Sequence, residues 1–291
     1  VNNPILEQEQ RIDAFNKFIE ERERIRIKKE AGEPRPWTDD PIFQQYKFCN
    51  IFREKDRGTK WIATNWREPH KEDPDLWFAL VIARRVLNWP ASMGALGYPV
   101  PWNPDHFFYT MSYREEKGLK CYDTAYQLLV QGRKGNKADN MVKYILDPLW
   151  AAREEIRPRE GDSLRSFFDR LSSFKYMGSF YTGQVIADLK YVQLTDAPDW
   201  ETFAVPGPGS ERGLNRVFGR DKNSPWREDN WQKKMLELKP FIKIPMHMQD
   251  ENNCLCEWDK YMRIKNLEGR VRPYHPTIPP NSHFFSLGRS M

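Results

Sequence analysis

Apolar residues recur at three- and four-residue spacing along almost the whole chain, and no convincing run of alternating apolar and polar residues interrupts them. A chain patterned this way closes a core by packing helices on helices, so the sequence predicts an all-α fold. Its 291 residues suffice for one large or two modest domains. With 39% hydrophobic and 30% charged residues it reads as globular. No apolar stretch approaches the roughly 20 residues that span a bilayer, and the first residues lack a signal peptide's apolar core, so a cytoplasmic location is expected.

The periodicity predicts a first helix over residues 5–29, with Ile12, Phe15, Phe18 and Ile19 on one face and a charged end. Pro34 and Pro36 mark a linker. Asp39-Asp40-Pro41 predicts the start of a helix over 40–55, and Asp73-Pro74-Asp75 that of one over 76–87 buried on most sides. Residues 90–104, rich in Pro and Gly, read as an ordered loop. Further helices are expected at 136–157, 163–174, 179–191, 213–219, 228–238 and 250–263. Four prolines after Val271 predict an extended tail along the surface. The resulting organisation is an N-terminal helix and linker (1–36), a helical domain with two lobes around a cleft (37–270) and a tail (271–291).

Several function classes are disfavoured. Cys49, Cys121, Cys254 and Cys256 are too few and scattered for a disulfide framework and lack a second pair for a zinc site, so they are expected as reduced thiols in or near the core. The five histidines have no ligand spacing, and no protein metal site is expected. Gly132-Arg133-Lys134-Gly135-Asn136-Lys137 lacks the P-loop spacing, which argues against a nucleotide kinase. A net charge of +5 is compatible with nucleic acid without requiring it. The 11 Trp, 12 Tyr and 17 Phe, interleaved with cations as in Lys60-Trp61 and Trp226-Arg227, include candidate base-stacking positions.

Four polar clusters could carry chemistry. Asn50, Arg53 and Arg57 fall on one face of the expected helix over 40–55, with Asp56 beside them; they either tie that helix to a neighbour or line a phosphate-binding cleft. Tyr181, Gln184 and Asp188 form a polar stripe that must be paired or face a site, because a buried unsatisfied polar group costs several kcal/mol. Val205-Pro206-Gly207-Pro208-Gly209-Ser210, followed by Glu211 and Arg212, is a tight hairpin before a helix, either plain punctuation or a phosphate-gripping helix-hairpin-helix element. In the helix over 250–263, Asp250 reads as the N-cap; Glu251, Glu257, Lys260 and Tyr261 follow, and Glu257 with Lys260 is either a surface ion pair or a proton acceptor beside an ammonium.

In this order, F-C-N-I-F-R-E-K-D-R, Y-T-G-Q-V-I-A-D-L-K-Y, V-P-G-P-G-S-E-R-G-L and E-N-N-C-L-C-E-W-D-K-Y resemble the alpha-glutamyl/putrescinyl thymine pyrophosphorylase family, a helical group that also accompanies 5-hydroxymethyluracil DNA kinases. The resemblance spans roughly residues 41–274. It implies a helix-hairpin-helix, DNA glycosylase-like array acting in bacteriophage DNA hypermodification inside the infected cell. The implied reaction replaces the pyrophosphate on a flipped 5-pyrophosphoryloxymethyluracil in double-stranded DNA with an amino acid or polyamine. Asn50, Arg53, Asp56, Tyr181, Gln184, Asp188, Gly207, Gly209, Glu251, Glu257, Lys260 and Tyr261 lie in the matching motifs. On this reading Asp188 or Glu257 takes a proton from the incoming amine. Arg53, Arg57 and Lys260 neutralise the leaving group, with a divalent cation such as Mg2+ as a candidate helper. Ser210 and Arg212 belong to the DNA-holding hairpin. A base-excising glycosylase using Asp250 or Asp188, or a non-catalytic DNA-binding module, are the alternatives.

Overall fold

Residues 76–87 show most directly how this sequence builds its core: every one of them is buried. A run apolar at every position but Arg84 and Arg85 offers almost no solvated face, so the helix Leu76–Val81 and the π-helical stretch Ile82–Leu87 that continues it become the centre around which other helices pack. The computed structural model describes residues 4–123 and 135–269, and among them there are helices and loops but no strand. The expected tail, and Gly132 to Lys134 of the P-loop-like run, lie outside the described residues.

In chain order the helices are α1 (Pro4–Glu30), α2 (Pro41–Gln45), α3 (Arg57–Ile62), α4 (Leu76–Val81), α5 (Pro90–Leu96), α6 (Pro104–Glu116) and α7 (Lys137–Met141). There follow α8 (Asp147–Ala151), α9 (Arg153–Ile156), α10 (Leu164–Ser172), α11 (Gly178–Leu189), α12 (Pro208–Val217), α13 (Glu228–Leu238) and α14 (Met248–Lys265). Local chemistry explains the clear boundaries. Ser163 Oγ caps α10 by accepting from the Ser166 amide at 2.9 Å, and Leu164, Phe167, Phe168 and Leu171 then bury one face. Asp40 caps α2 with Pro41 in its first turn.

Two apolar clusters result. The first gathers α4, its π-helical continuation, α5 to α8, α10 and α11. The second gathers α1, α12, α13 and α14 with Phe48 and Ile51. Ile12, Phe15, Phe18 and Ile19 of α1 are part of that second core, so the expected boundary after residue 36 cuts through a packed unit. Cys121 and Cys254 are buried as expected, whereas Cys49 and Cys256 are exposed.

Other expectations are corrected by packing. Residues 90–104 hold helix α5, and α12 begins at Pro208, five residues before the expected start. α6 buries only Phe107 and Met111 and so offers little apolar stripe to read. The expected helix over 40–55 stops at Gln45, and residues 47–53 run as a strap along α14. Asp250 Oδ1 accepts from the Arg53 amide at 3.0 Å, and Glu257 Oε2 from the Cys49 amide at 3.1 Å. Asn253 Nδ2 donates to the Asn50 carbonyl at 3.1 Å, and Lys260 Nζ donates to the Lys47 carbonyl. Arg22 of α1 donates to the Cys49 and Phe48 carbonyls from the other side. These side chains supply the partners a helix would otherwise have given itself.

α12 lies against α14 through Gly209 and Gly213. A Cβ on Gly213 would collide with the Leu255 carbonyl, and one on Gly209 would come within 2.5 Å of Cys256 Sγ. Beyond the glycines, Arg212 and Arg216 both grip Asp259 of α14, at 2.8 and 2.9 Å. Gly213→Ala therefore forces the backbones apart, and urea denaturation is expected to show a loss of about 3 kcal/mol or more.

Glu251 sits on the α14 face that also carries Met248, Leu255 and Trp258, fully buried, with neither carboxylate oxygen hydrogen-bonded among the described residues. Burial pushes its pKa up to about 8. The folded state then binds this proton more tightly than the unfolded chain, so stability falls as pH rises from about 4.5 to about 8. Glu251→Gln removes the ionisation. Its melting temperature is expected to exceed the wild type's by several degrees at pH 9, the gain shrinking to near zero at pH 4.

Candidate functional site

The polar stripe of α11 is paired, and its partners come from both sides of the molecule. Asp188 is fully buried. Arg84 holds it through Nε to Oδ2 at 2.6 Å and Nη2 to Oδ1 at 2.7 Å, Arg53 approaches at 3.4 Å and Arg67 at 3.9 Å. Burial alone would raise the Asp188 pKa, but Arg84, Arg53 and Arg67 together hold it below the ordinary carboxylate value. A carboxylate so held is a poor proton acceptor, and this corrects the expectation that Asp188 serves as the base. Arg67 and Arg84 stand on the π-helical stretches Ala63–Arg67 and Ile82–Leu87. Two arginines inside the apolar run 76–87 are the signal the sequence offered for this network: charges that must be buried need a partner.

Arg53 connects this anchor to the start of α14. Its Nη2 donates to Gln184 Oε1 at 3.0 Å, while its own amide donates to Asp250 Oδ1. Asp250 stands in the first turn of α14, but the N-cap is His247, whose Nδ1 accepts from the Asp250 amide at 3.3 Å. That acceptance places the imidazole proton on Nε2, which lies 3.1 Å from Asp250 Oδ2 and 2.8 Å from Tyr191 Oη. Burial, reinforced by Lys190, Lys239 and Arg53, pushes the His247 pKa down to about 3, so the His247–Asp250 contact is a hydrogen bond from a neutral imidazole and not an ion pair. Burial pushes Asp250 up to about 6, against the pull of the Arg53 amide and charge. Lys190, buried beneath, donates to the Trp200 carbonyl at 2.8 Å and is pulled down to about 8 by burial.

Around this centre, Arg67 makes a two-point pair with Glu54 at 3.0 and 2.6 Å, and its guanidinium lies 5.1 Å from the Tyr191 ring centroid. Gln184, Tyr181, Arg53 and Glu54 are partly exposed and form the rim. Asp250 is thus a buried carboxylate that titrates near 6, bound to the Arg53 amide, with the Arg53 guanidinium turned to Gln184 and Asp188 and aromatic side chains beside His247. That combination suits proton transfer next to a developing anion. His247, Tyr191, Glu54, Arg67 and Arg84 were not singled out by the sequence.

The remaining expected residues fall elsewhere. Asn50, Arg53 and Arg57 do not share a helix face: Asn50 lies in the strap, where its amide and Nδ2 both donate to Asp56 Oδ1, and Arg57 is exposed at the start of α3. Glu257 and Lys260 hold strap backbone and stand 3.8 Å apart. Tyr261 donates to Asp40 Oδ2 at 2.6 Å and stacks on Trp258. At the hairpin, Ser210 Oγ accepts from the Gly207 amide and donates to the Gly207 carbonyl, both at 3.0 Å, fixing the turn. The amides of Gly209 and Ser210, in the first turn of α12, have no intrahelical acceptor.

A sequence model of the family described as the helical domain of 5-hmdU DNA kinase matches residues 9–270. A relative from Bacillus phage SP10, described as 5-hmdU DNA kinase, is 26% identical over 211 residues, covering 64% of this chain and 33% of the relative. The chain thus spans about a third of that protein's length. No solved structure matches.

If Asp188 is the anchor of the arginine network, Asp188→Asn leaves buried guanidinium charge uncompensated. Urea denaturation is expected to show a loss of about 3–5 kcal/mol. Unchanged stability would mean the arginines do not depend on it.

Proposed function

We propose, for a chain that belongs to the family of 5-hmdU DNA kinase helical domains, a part in the hypermodification of thymine in bacteriophage DNA, acting on a modified uracil base within the duplex. Within this reading the reaction is the replacement of pyrophosphate on 5-pyrophosphoryloxymethyluracil by an amino acid or polyamine. The observation that carries it is Asp250, titrating near 6 and bound to the amide of Arg53, whose partly exposed guanidinium reaches Gln184 and Asp188. The sequence contains no GxxxxGK[ST], which favours group transfer over phosphorylation as the work of this chain.

The step balances with the residues at hand. The target base leaves the duplex, and the amide groups at the start of α12 hold the strand beside it. The amine nitrogen bonds to the 5-methylene carbon as the carbon–oxygen bond to pyrophosphate breaks, and the uracil ring assists departure. The ammonium proton passes to Asp250 and then to solvent. Arg53 neutralises the leaving pyrophosphate, and Gln184, already bound to Arg53, fixes its direction. Among the described residues no three His, Cys, Asp or Glu side chains converge on a metal position, so a divalent cation such as Mg2+ would come bound to the pyrophosphate.

Asp250 also supports the alternative of a glycosylase, because it follows the hairpin and a carboxylate there could stabilise an oxocarbenium ion. Mass spectrometry of nucleosides from DNA bearing 5-pyrophosphoryloxymethyluracil, incubated with the protein and a mixture of amines, separates the two. A nucleoside in which one amine replaces pyrophosphate supports transfer; free base and abasic sites support excision. For transfer, Asp250→Asn is expected to lower the rate at least about 100-fold with the fold intact, and the wild-type rate should rise as pH passes through about 6 and Asp250 loses its proton.

A further inference from the structure

The neutral imidazole of His247 has one hydrogen to give and two oxygens that can take it. Nδ1 accepts from the Asp250 amide at 3.3 Å, which leaves the proton on Nε2. Nε2 in turn lies 2.8 Å from Tyr191 Oη and 3.1 Å from Asp250 Oδ2. A single N–H divided between two acceptors satisfies neither in full, and the shorter contact is the one to the phenol. What Tyr191 takes is therefore withheld from Asp250. The other carboxylate oxygen, Oδ1, is already bound to the Arg53 amide at 3.0 Å, so Oδ2 is where the difference falls.

The tyrosine is held where it can compete. The Arg67 guanidinium lies 5.1 Å from its ring centroid, and the Trp200 indole meets the ring edge-on at 5.6 Å. Trp200 is itself fixed by Lys190 in both directions: its Nε1 donates to the Lys190 carbonyl at 3.0 Å, and Lys190 Nζ donates to its carbonyl at 2.8 Å. Burial, reinforced by Asp250 and Glu54, raises the Tyr191 pKa, so the hydroxyl stays neutral. A neutral phenol draws on the imidazole hydrogen without taking it outright.

We propose that Tyr191 is a positioning residue for Asp250 that acts through His247: its hydroxyl draws off the imidazole hydrogen and leaves Asp250 Oδ2 short of a full hydrogen bond. Resting on the reading of Asp250 as the proton acceptor, this gives Tyr191 a part in setting the pH range in which the site works. A hydrogen bond to an ionised carboxylate favours ionisation, so withholding one keeps the proton bound to higher pH. The other groups facing the carboxyl act in fixed directions. The Arg53 amide and charge and the Lys190 charge lower the Asp250 pKa, and Glu54 raises it. Lys190, Lys239 and Arg53 keep His247 neutral. Tyr191→Phe keeps the ring and removes the acceptor, so Nε2–H turns to Asp250 Oδ2 alone.

Nuclear magnetic resonance of protein carrying carbon-labelled aspartate and nitrogen-labelled histidine tests this without a substrate, Asp250→Asn serving to assign the signal. The wild-type Asp250 midpoint is expected at about 6 with Nε2 of His247 protonated. In Tyr191→Phe the midpoint should fall to about 5, the melting temperature staying close to the wild type's. His247→Ala should move the midpoint upward, and adding Tyr191→Phe to it should produce no further shift, because the tyrosine acts through the imidazole. On the transfer reading the rate of Tyr191→Phe then rises through about pH 5 where the wild type's rises through about 6. A Tyr191→Phe midpoint at or above the wild type's, or an Nε2 without its proton, overturns the positioning role. A midpoint that falls as expected in a protein that transfers no amine keeps the role of Tyr191 and overturns the transfer reading.

Discussion

Asp188 can stay ionised inside a helical core only because three guanidiniums reach it, and they come from three separate stretches of chain. Arg53 precedes α3, Arg67 ends one π-helical stretch and Arg84 lies in another. Neutralising one buried carboxylate therefore fixes the strap, the segment after α3 and the continuation of α4 against α11. The apolar clusters could slide past each other without much loss of burial, since dispersion and area are indifferent to direction. Charge-assisted hydrogen bonds at 2.6 and 2.7 Å are not, and they set the register in which Arg53 arrives beside Asp250.

Much of the scaffold was legible because it depends on local chemistry. The bounds of α13, the Ser163 cap, the apolar face of α1 and the stripe of Tyr181, Gln184 and Asp188 all follow from spacing and capping. The strap was not. Residues 47–53 carry a helical pattern, but Asp250, Asn253, Glu257 and Lys260, two hundred residues away, take up their backbone groups instead. The same long-range pairing explains why Glu257 and Lys260 looked like chemistry in the sequence: an acid and an amine on one helix read alike whether their partners are substrate or carbonyl oxygens. Gly209 and Gly213 likewise look like turn residues, while the α14 backbone lying across them is invisible until the helices are placed.

α14 shows why the candidate site stands at a helix start. Along its length one face holds the strap, another meets α12 and a third enters the second apolar cluster. The first turn meets α11, where Gln249 Nε2 donates to the Gly183 carbonyl at 3.5 Å, and there Asp250 accepts from the Arg53 amide. A helix N-terminus favours a negative charge while burial disfavours it. For Asp250, burial raises the pKa while the Arg53 amide and the Arg53 and Lys190 charges lower it, and it comes to about 6.

His247 completes that balance through its own neutrality. Were it protonated, it would form an ion pair with Asp250 at 3.1 Å and draw the carboxyl pKa down towards that of Asp188. Burial together with Lys190, Lys239 and Arg53 prevents this, so His247 gives Asp250 direction without charge. Lys190 thereby acts on the site without touching it: held by the Trp200 carbonyl and 3.6 Å from the Trp200 ring centroid, it keeps the imidazole neutral from below. The two buried acids on either side of Arg53 differ for this reason. Asp188 is surrounded by permanent cations and stays well ionised, while Asp250 is held by an amide and a neutral imidazole and titrates at about 6.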